Sequence, residues 1–486
     1  MAPSRRRAFA RARIAAALAV AVAIGLLDGT LAAQQASIGY RGRSGQRDGG
    51  TGRDRPNVLL LTVDQLSWSV LAYSGAAYPR VQTPNLDRLC AKGSLFRRHY
   101  ADAEDCHASR SSLLTGKPPH CHGALGNGWR LADTEVTLAE SLRAAGYATC
   151  AIGKVHTPAE GADQGFESFF DTDWFLEVLA GAGWCPENSI RWIDFRHQVG
   201  TLLMPPEWER DRLKTALATD FFRQPHRRPW FLYLSYVFPH PPWAPTDENW
   251  AGVRPDDVVP TLPQAAVWAR KPPFAQARLL ELGLDDQTIA EARLQRMAYV
   301  AMVEGVDREI GIVLDELERS GLDERTVIVF TSDHGDMAGQ LGAAHKLFGP
   351  YESVAHVPLV IVDPAHFPPG SQIDALTQGI DVPATLYELL DLEVPAGLSG
   401  RSLLRLPRGG PPVRQFAFTV QEVPPSSWLV TDGRLALILH SSGDPELYDL
   451  AADPEQTWSL HADPAYAGLF AELRAVLLDW RLNACR

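Results

Sequence analysis

The chain has 486 residues, 45% of them hydrophobic and 21% charged, the balance of a globular protein long enough for a large core and two to four domains. A formal net charge of −12 excludes a general nucleic-acid binder, because phosphate backbones are held by a cationic face. An anion can still be bound, but only in a locally positive pocket.

The N-terminus reads as an export signal. "SRRRAFARAR" is basic, Ile14 to Leu27 is an apolar run, and "TLAAQQA" offers small residues for cleavage near Ala33. The run is shorter than the roughly 20 residues a membrane helix needs, so residues 1–33 are expected to be a signal peptide and no stable membrane anchor is expected. Arg6-Arg7-Ala8-Phe9 fits a twin-arginine signal as well as an Arg-rich Sec signal, and either makes the protein exported, periplasmic or secreted. Residues 34–55, rich in Gly, Arg and Gln, read as a flexible linker. The fold is expected to begin at Arg55 or Pro56, with a catalytic domain over 56–405 and a C-terminal subdomain over 406–486.

"NVLLLTVD" (Asn57–Asp64) is a continuous apolar run of the kind that forms a buried parallel strand. "TPNLDRLCAKG" and "TLAESLRAAG" carry a Thr cap and a closing Gly, the marks of short helices. "YATCAIGKVH", "RPWFLYLSYVFPH" and "RTVIVFTSDHGD" are further buried strands, and "IAEARLQRMAYVAMVEGVDREIGIVLDELERSG" is a long helix. "HVPLVIV" and the helix "DVPATLYELLD" follow. Strands alternating with helices predict an α/β fold with a large, mostly parallel central sheet. Beyond that, "QFAFTVQEV", "SWLVTDGRLALILHSSG", "PELYDL" and a closing helix predict a small α+β subdomain with an antiparallel sheet packed on the main domain.

Four apolar runs end in chemically capable residues: Asp64, Lys154 with His156, His240, and Asp333 with His334. In open α/β sheets ligands bind at the carboxyl ends of the strands. Any one such end could be only a polar stop; four together point to a site. Asp64, Gln65 and Asp333 are hard oxygen ligands suited to Ca²⁺ or Mg²⁺, while His334 leans toward Mn²⁺.

Six cysteines, Cys90, Cys106, Cys121, Cys150, Cys185 and Cys485, match no zinc spacing and allow fifteen pairings. Cys106 heads the short helical stretch "HASRSSLLTG", where backbone N–H groups and the helix dipole favour an anion. Arg110 is one turn along on the same side. By residue type alone this is a capped core helix with a buried thiol, or a nucleophile without an evident oriented base.

"CHASRSSLLTG" resembles the C-x-[P/A]-S-R-x-x-x-x-T-G signature of type I sulfatases in the alkaline phosphatase superfamily. "RPNVLLLTVDQ", "TPNLDRLCAKG", "YATCAIGKVH", "DHGDMAGQLGAAHK", "YESVAHVPLVI" and "ELYDLAADPEQTWSL" look like blocks of that family in its order, from Pro56 to the C-terminus. The resemblance implies that Cys106 is oxidised to Cα-formylglycine by a formylglycine-generating enzyme. It also implies one divalent metal, Ca²⁺ before Mn²⁺ or Mg²⁺, held by Asp64, Gln65, Asp333, His334 and position 106. The hydrated aldehyde would be the nucleophile, with Arg110 and Lys154 stabilising it and His156 beside them. His240 and Lys346 would contact the sulfate, with His240 protonating the leaving oxygen. Gln65 and His334 stand where the family more often has Asp and Asn, which lowers the negative charge of the metal site. His356 stands where an Arg is usual.

The implied activity is hydrolysis of a sulfate monoester, with a carbohydrate sulfate preferred over aryl or choline sulfate. The nearest alternative is a formylglycine-dependent phosphonate monoester or phosphodiester hydrolase; a silent exported glycan binder is the alternative of another class, and a Ser- or Thr-dependent phosphatase is the most distant. Specificity is expected in the stretches from Thr157 to Gln198 and from Pro241 to Phe274, whose Trp184, Trp192, Trp243, Trp250 and Trp268 offer faces for sugar rings.

Overall fold

The computed structural model describes residues 55–74, 81–156 and 164–485. The signal peptide and all of the expected linker except Arg55 lie outside the described residues. Eight strands form the main sheet: β1 (Asn57–Val63), β2 (Ser94–Tyr100), β3 (Ala148–Gly153), β4 (Ser168–Phe170), β7 (Trp230–Tyr236), β8 (Thr326–Ser332), β9 (Leu359–Val362) and β10 (Ser371–Gln378). β5 (Ile190–Asp194) and β6 (Val199–Leu202) form a separate antiparallel ribbon.

The main-sheet order is β10-β2-β9-β8-β1-β7-β3-β4. All neighbours are parallel except β9, which runs against both β2 and β8. Successive residues of a strand face opposite ways, and the core divides accordingly. Leu59, Leu61 and Val63 pack with α4 (Arg210–Arg223) and the long α5 (Ile289–Arg319). Val58 and Leu60 pack with α2 (Cys106–Thr115), α3 (Leu138–Ala144) and α6 (Asp381–Leu389). Burial on both faces is why β1, β7 and β8 read as unbroken apolar runs. β2 and β10 did not read as strands because exposed charges interrupt them, the successive Arg97 and Arg98 in β2 and Asp374 in β10.

α1 (Pro84–Lys92) starts after Thr83, as expected, yet the Thr83 side chain makes no cap bond. The orphan amides of Asn85 and Leu86 are instead taken by the Asp307 carboxylate of α5, at 3.2 and 2.8 Å. A tertiary contact replaces the local cap.

The C-terminal sheet, β11 (Ala417–Gln421), β12 (Ser427–Thr431), β13 (Leu435–His440) and β14 (Glu446–Asp449), is antiparallel throughout and covered by α7 (Ala467–Asn483). Several links tie it to the main domain, among them a disulfide, an ion pair and a pair of backbone hydrogen bonds. Cys121 and Cys485 form a disulfide, while Cys90, Cys106 and Cys150 are free thiols among the described residues. Arg414 pairs with Asp381 at the start of α6. Val420 of β11 exchanges backbone hydrogen bonds with Asp102 and Glu104, immediately before Cys106. No helix among the described residues is long and apolar enough to cross a membrane.

Candidate active site

Strands β8, β1, β7 and β3 are adjacent and parallel, with Val63 level with Ser332 and Tyr236, and Gly153 level with Ser235. Their carboxyl ends therefore deliver Asp333 and His334, Asp64 and Gln65, His240, and Lys154 and His156 to one edge of the sheet. The turn after β3 needs Gly153: its φ is +103°, and a Cβ there would stand 2.0 Å from the Ser235 carbonyl oxygen.

α2 brings the nucleophile candidate to this edge. Its first residue is Cys106; Asp105 caps it by accepting from the His107 amide at 3.2 Å, and Gly116 closes it in the left-handed conformation at φ +69°. Every residue of α2 is buried, which accounts for a helix with so little amphipathic contrast.

Ligand-type atoms of Asp64, Cys106, Asp333 and His334 all lie within 4.8 Å of one another. His334 Nε2 is 3.0 Å from Cys106 Sγ and 3.7 Å from both Asp64 Oδ1 and Asp333 Oδ2. The other ring nitrogen, Nδ1, donates to the Gly335 carbonyl at 2.9 Å, leaving the Nε2 lone pair toward the cluster. Gln65 adds an amide: Nε2 donates to Asp336 Oδ2 at 2.6 Å, while the buried Oε1 has no partner among the described residues. An unpaired buried carbonyl oxygen is costly unless something accepts it into coordination. Two carboxylates, one imidazole lone pair and one orphan amide oxygen fit a divalent cation.

Three cations converge. Lys346 Nζ is 2.8 Å from Cys106 Sγ and 2.7 Å from His334 Nε2, and Lys154 Nζ donates to Asp64 Oδ2 at 2.5 Å. Arg110 is the third cation, and its hydrogen bonds run to the carboxylates and the neighbouring strand ends. Its Nε donates to Asp333 Oδ2 at 2.9 Å, Nη2 is 3.2 Å from Asp64 Oδ2, and Nη1 bonds Lys154 O, Tyr233 Oη and Ser235 Oγ. It clamps the two carboxylates, and none of its hydrogen bonds reaches position 106.

Electrostatics follow from this packing. Burial alone would push the Cys106 thiol up, but Lys154, Lys346, His334 and a hydrogen bond with His156 together bring it well below its ordinary value. Burial likewise opposes ionisation of Asp64, yet Lys154, His240 and Arg110 hold its carboxyl well below the usual range. Burial would lower Lys154 and Lys346; Asp64 and Cys106 raise both.

His240 stands at the half-buried rim. Its Nδ1 donates to the Pro241 carbonyl at 2.6 Å, leaving Nε2 for a ligand. His156 has φ +55° and a buried Nδ1 without a partner among the described residues. His345 lies tilted against Trp243, ring centroids 4.5 Å apart, and is kept neutral, its pKa lowered to about 3 chiefly by burial.

Several contributors were missed from sequence. Asp336 lies inside the quoted "DHGD" block, Tyr299 Oη braces the Gln65 carbonyl at 2.8 Å from α5, and Ser109 donates to the Asp333 carbonyl at 2.5 Å. Two of these carried a signal, Asp336 by its closeness to Asp333 and Ser109 as the Ser of the quoted signature; Tyr299 carried none.

Two of the proposed sugar-facing tryptophans are core residues. Trp243 and Trp268 are 1% and 3% exposed, and their indole N–H groups bond the Pro239 and Leu341 carbonyls. Trp184, Trp192 and Trp250 are half-buried, and residues 157–163 of the first specificity stretch lie outside the described residues. His356, in place of the usual Arg, is explained by packing. Its ring stacks between Trp68 and Tyr100, each at 5.1 Å, and its nitrogens meet Glu352 and the Arg97 carbonyl at 2.9 Å.

The chain is similar to known proteins over most of its length. A family model described as "Sulfatase" matches residues 56–392, and one described as "N-sulphoglucosamine sulphohydrolase, C-terminal" matches residues 342–483. The multifunctional alkaline phosphatase superfamily protein PehA of Trinickia caryophylli is 29% identical over 88% of this chain and 96% of its own. The choline-sulfatase of Rhizobium meliloti (strain 1021) is 27% identical, covering 88% of each chain. The solved phosphonate monoester hydrolase of Agrobacterium radiobacter has a TM-score of 0.77 at 26% identity, over 88% of this chain and 96% of that one.

Proposed function

The chain belongs to the sulfatase family of the alkaline phosphatase superfamily, a family of sulfuric ester hydrolases, and from that premise we propose an exported, metal-dependent hydrolase of sulfate monoesters that uses position 106 as Cα-formylglycine. One observation carries the reading: Cys106 Sγ lies inside the cluster of Asp64, Asp333 and His334, with Lys346 on it. A plain thiolate could be held in such a setting, but a sulfate transferred to it would have no internal route of release. Hydrated formylglycine there supplies an oxygen nucleophile whose second hydroxyl lets the covalent sulfate be expelled by return to the aldehyde.

Asp64, Gln65, Asp333, His334 and position 106 would hold a divalent cation, Ca²⁺ before Mn²⁺ or Mg²⁺, which supplies charge neutralisation on the transferring group. Lys346 and Lys154 flank position 106 and offset charge on the sulfate oxygens. His240, with Nδ1 anchored, presents Nε2 to protonate the departing alcohol, help worth about 10²–10⁴-fold. Arg110 acts one step back, holding Asp64 and Asp333 in place.

Export is supported by the N-terminal signal pattern and by a disulfide, which persists in oxidising compartments. With Trp243 and Trp268 in the core, the case for a carbohydrate sulfate weakens, and choline and aryl sulfates stand beside it. The second reading, a phosphonate monoester or phosphodiester hydrolase, is favoured by Gln65 and His334 and by the likeness to the Agrobacterium enzyme.

The test has two parts. Mass spectrometry of the peptide His99–Arg110, from protein made with a formylglycine-generating enzyme, should show a species lighter than the thiol form by about the mass of one water. Rates on 4-nitrophenyl sulfate, a phosphonate monoester and a phosphodiester then separate the two readings. Active protein with an unmodified Cys106 overturns the mechanism.

A further inference from the structure

Asp336 is fully buried and none of the roles above uses it. Its carboxylate accepts three hydrogen bonds. Oδ1 takes the Ala338 and His345 amides at 2.7 and 3.1 Å, and Oδ2 takes Gln65 Nε2 at 2.6 Å. A carboxylate in this position can only accept, so it fixes which end of the Gln65 amide faces it. The NH₂ end points to Asp336, and the carbonyl oxygen is the atom left buried and without a partner among the described residues. The Gln65 backbone is equally constrained, with φ +67° and its carbonyl held by Tyr299.

The same carboxylate reaches the other side of the site. Lys346 lies between two non-glycine residues of positive φ, His345 at +72° and Leu347 at +71°, a costly conformation that persists only when its surroundings impose it. The amides on either side of Lys346 are held by buried carboxylates, His345 N by Asp336 and Leu347 N by Glu104 at 3.2 Å.

We propose that Asp336 is a positioning residue that orients the Gln65 amide so that its oxygen faces the metal and, through His345, ties that ligand to the segment holding Lys346 against position 106. The proposal rests on the metal-dependent hydrolase reading.

The test is a double-mutant cycle: wild type, Q65E, D336N and Q65E/D336N, each stripped with chelator and titrated calorimetrically with Ca²⁺ and, separately, Mn²⁺. The D336N side chain keeps an oxygen for the two amides but turns an NH₂ group on Gln65 Nε2, forcing the amide to reverse. D336N should bind metal about 10–100-fold more weakly. Q65E/D336N moves the charge one residue over and restores a donor–acceptor pair, so its affinity should return to within about tenfold of wild type. An additive cycle, or D336N binding like wild type, overturns the role. Should D336N fail to fold, the double variant alone decides: lost affinity there overturns it. At saturating metal, D336A should have about tenfold lower kcat than D336N, having also lost the His345 acceptor; equal kcat removes the link to Lys346. Wild type that takes up neither ion removes the hydrolase reading itself, a result distinct from an additive cycle.

Discussion

Arg110 Nε lies 2.9 Å from Asp333 Oδ2, and both side chains are completely buried. With Nη2 3.2 Å from Asp64, the guanidinium is the counter-charge for both metal-side carboxylates.

R110A leaves those carboxylates uncompensated in the interior. It should destabilise metal-free protein by about 3–5 kcal/mol, with Ca²⁺ restoring part of the loss. R110K keeps the charge without the fork and should fall between. Urea denaturation in chelator and in Ca²⁺ checks this; a loss of equal size in both would contradict the clamp.

Lys346 reaches position 106 from 240 residues away, at 2.8 Å. K346A should lower kcat by about 10²–10³-fold, as for loss of one preorganised charge donor at a reacting centre. Steady-state rates on the best ester, with formylglycine content measured on the same sample, test it. Unchanged kcat at full conversion would place the charge stabilisation elsewhere.

The Cys121–Cys485 disulfide joins residues 364 apart and fastens the end of α7 beside the segment that follows α2. C121S/C485S should lose about 2–5 kcal/mol of stability. Hydrogen exchange should show protection falling first in Ala467–Asn483, where only Leu473 and Leu477 are fully buried. Uniform loss across the main sheet would argue against a local staple.

Glu446 sets the acid limit of the C-terminal subdomain. Burial opposes its charge, but Lys271 at 3.1 Å and His440 at 3.0 Å hold it down to about 2, from an ordinary value of 4.5. A depressed folded pKa gives stability that is fully present above 4.5 and is lost as pH falls toward 2. The shift corresponds to about 3 kcal/mol. Thermal unfolding between pH 7 and pH 3 should show a steeper loss in wild type than in E446Q, which starts lower; parallel curves would mean that Glu446 does not carry the acid limb.

Local chemistry determined much of this protein. Doubly buried strands must be continuous apolar runs, so β1, β7 and β8 were legible, and with them the polar ends that became Asp64, His240, Asp333 and His334. The Cys106 block pointed to a chemistry only through its resemblance to a family signature; its residue types alone left a buried core thiol equally open. β2 and β10 were hidden because the exposed Arg97, Arg98 and Asp374 interrupt their apolar residues.

Tertiary structure alone decided the rest, because it depends on which strands become neighbours. The reversal of β9, the Cys121–Cys485 pairing and the burial of Trp243 are properties of the assembled sheet. So are the aim of Arg110 at a carboxylate 223 residues away and the hydrogen bond of Gln65 to Asp336 across 271 residues. A side chain's type limits what it can bond; only the packed sheet determines which partner is within 3 Å of it.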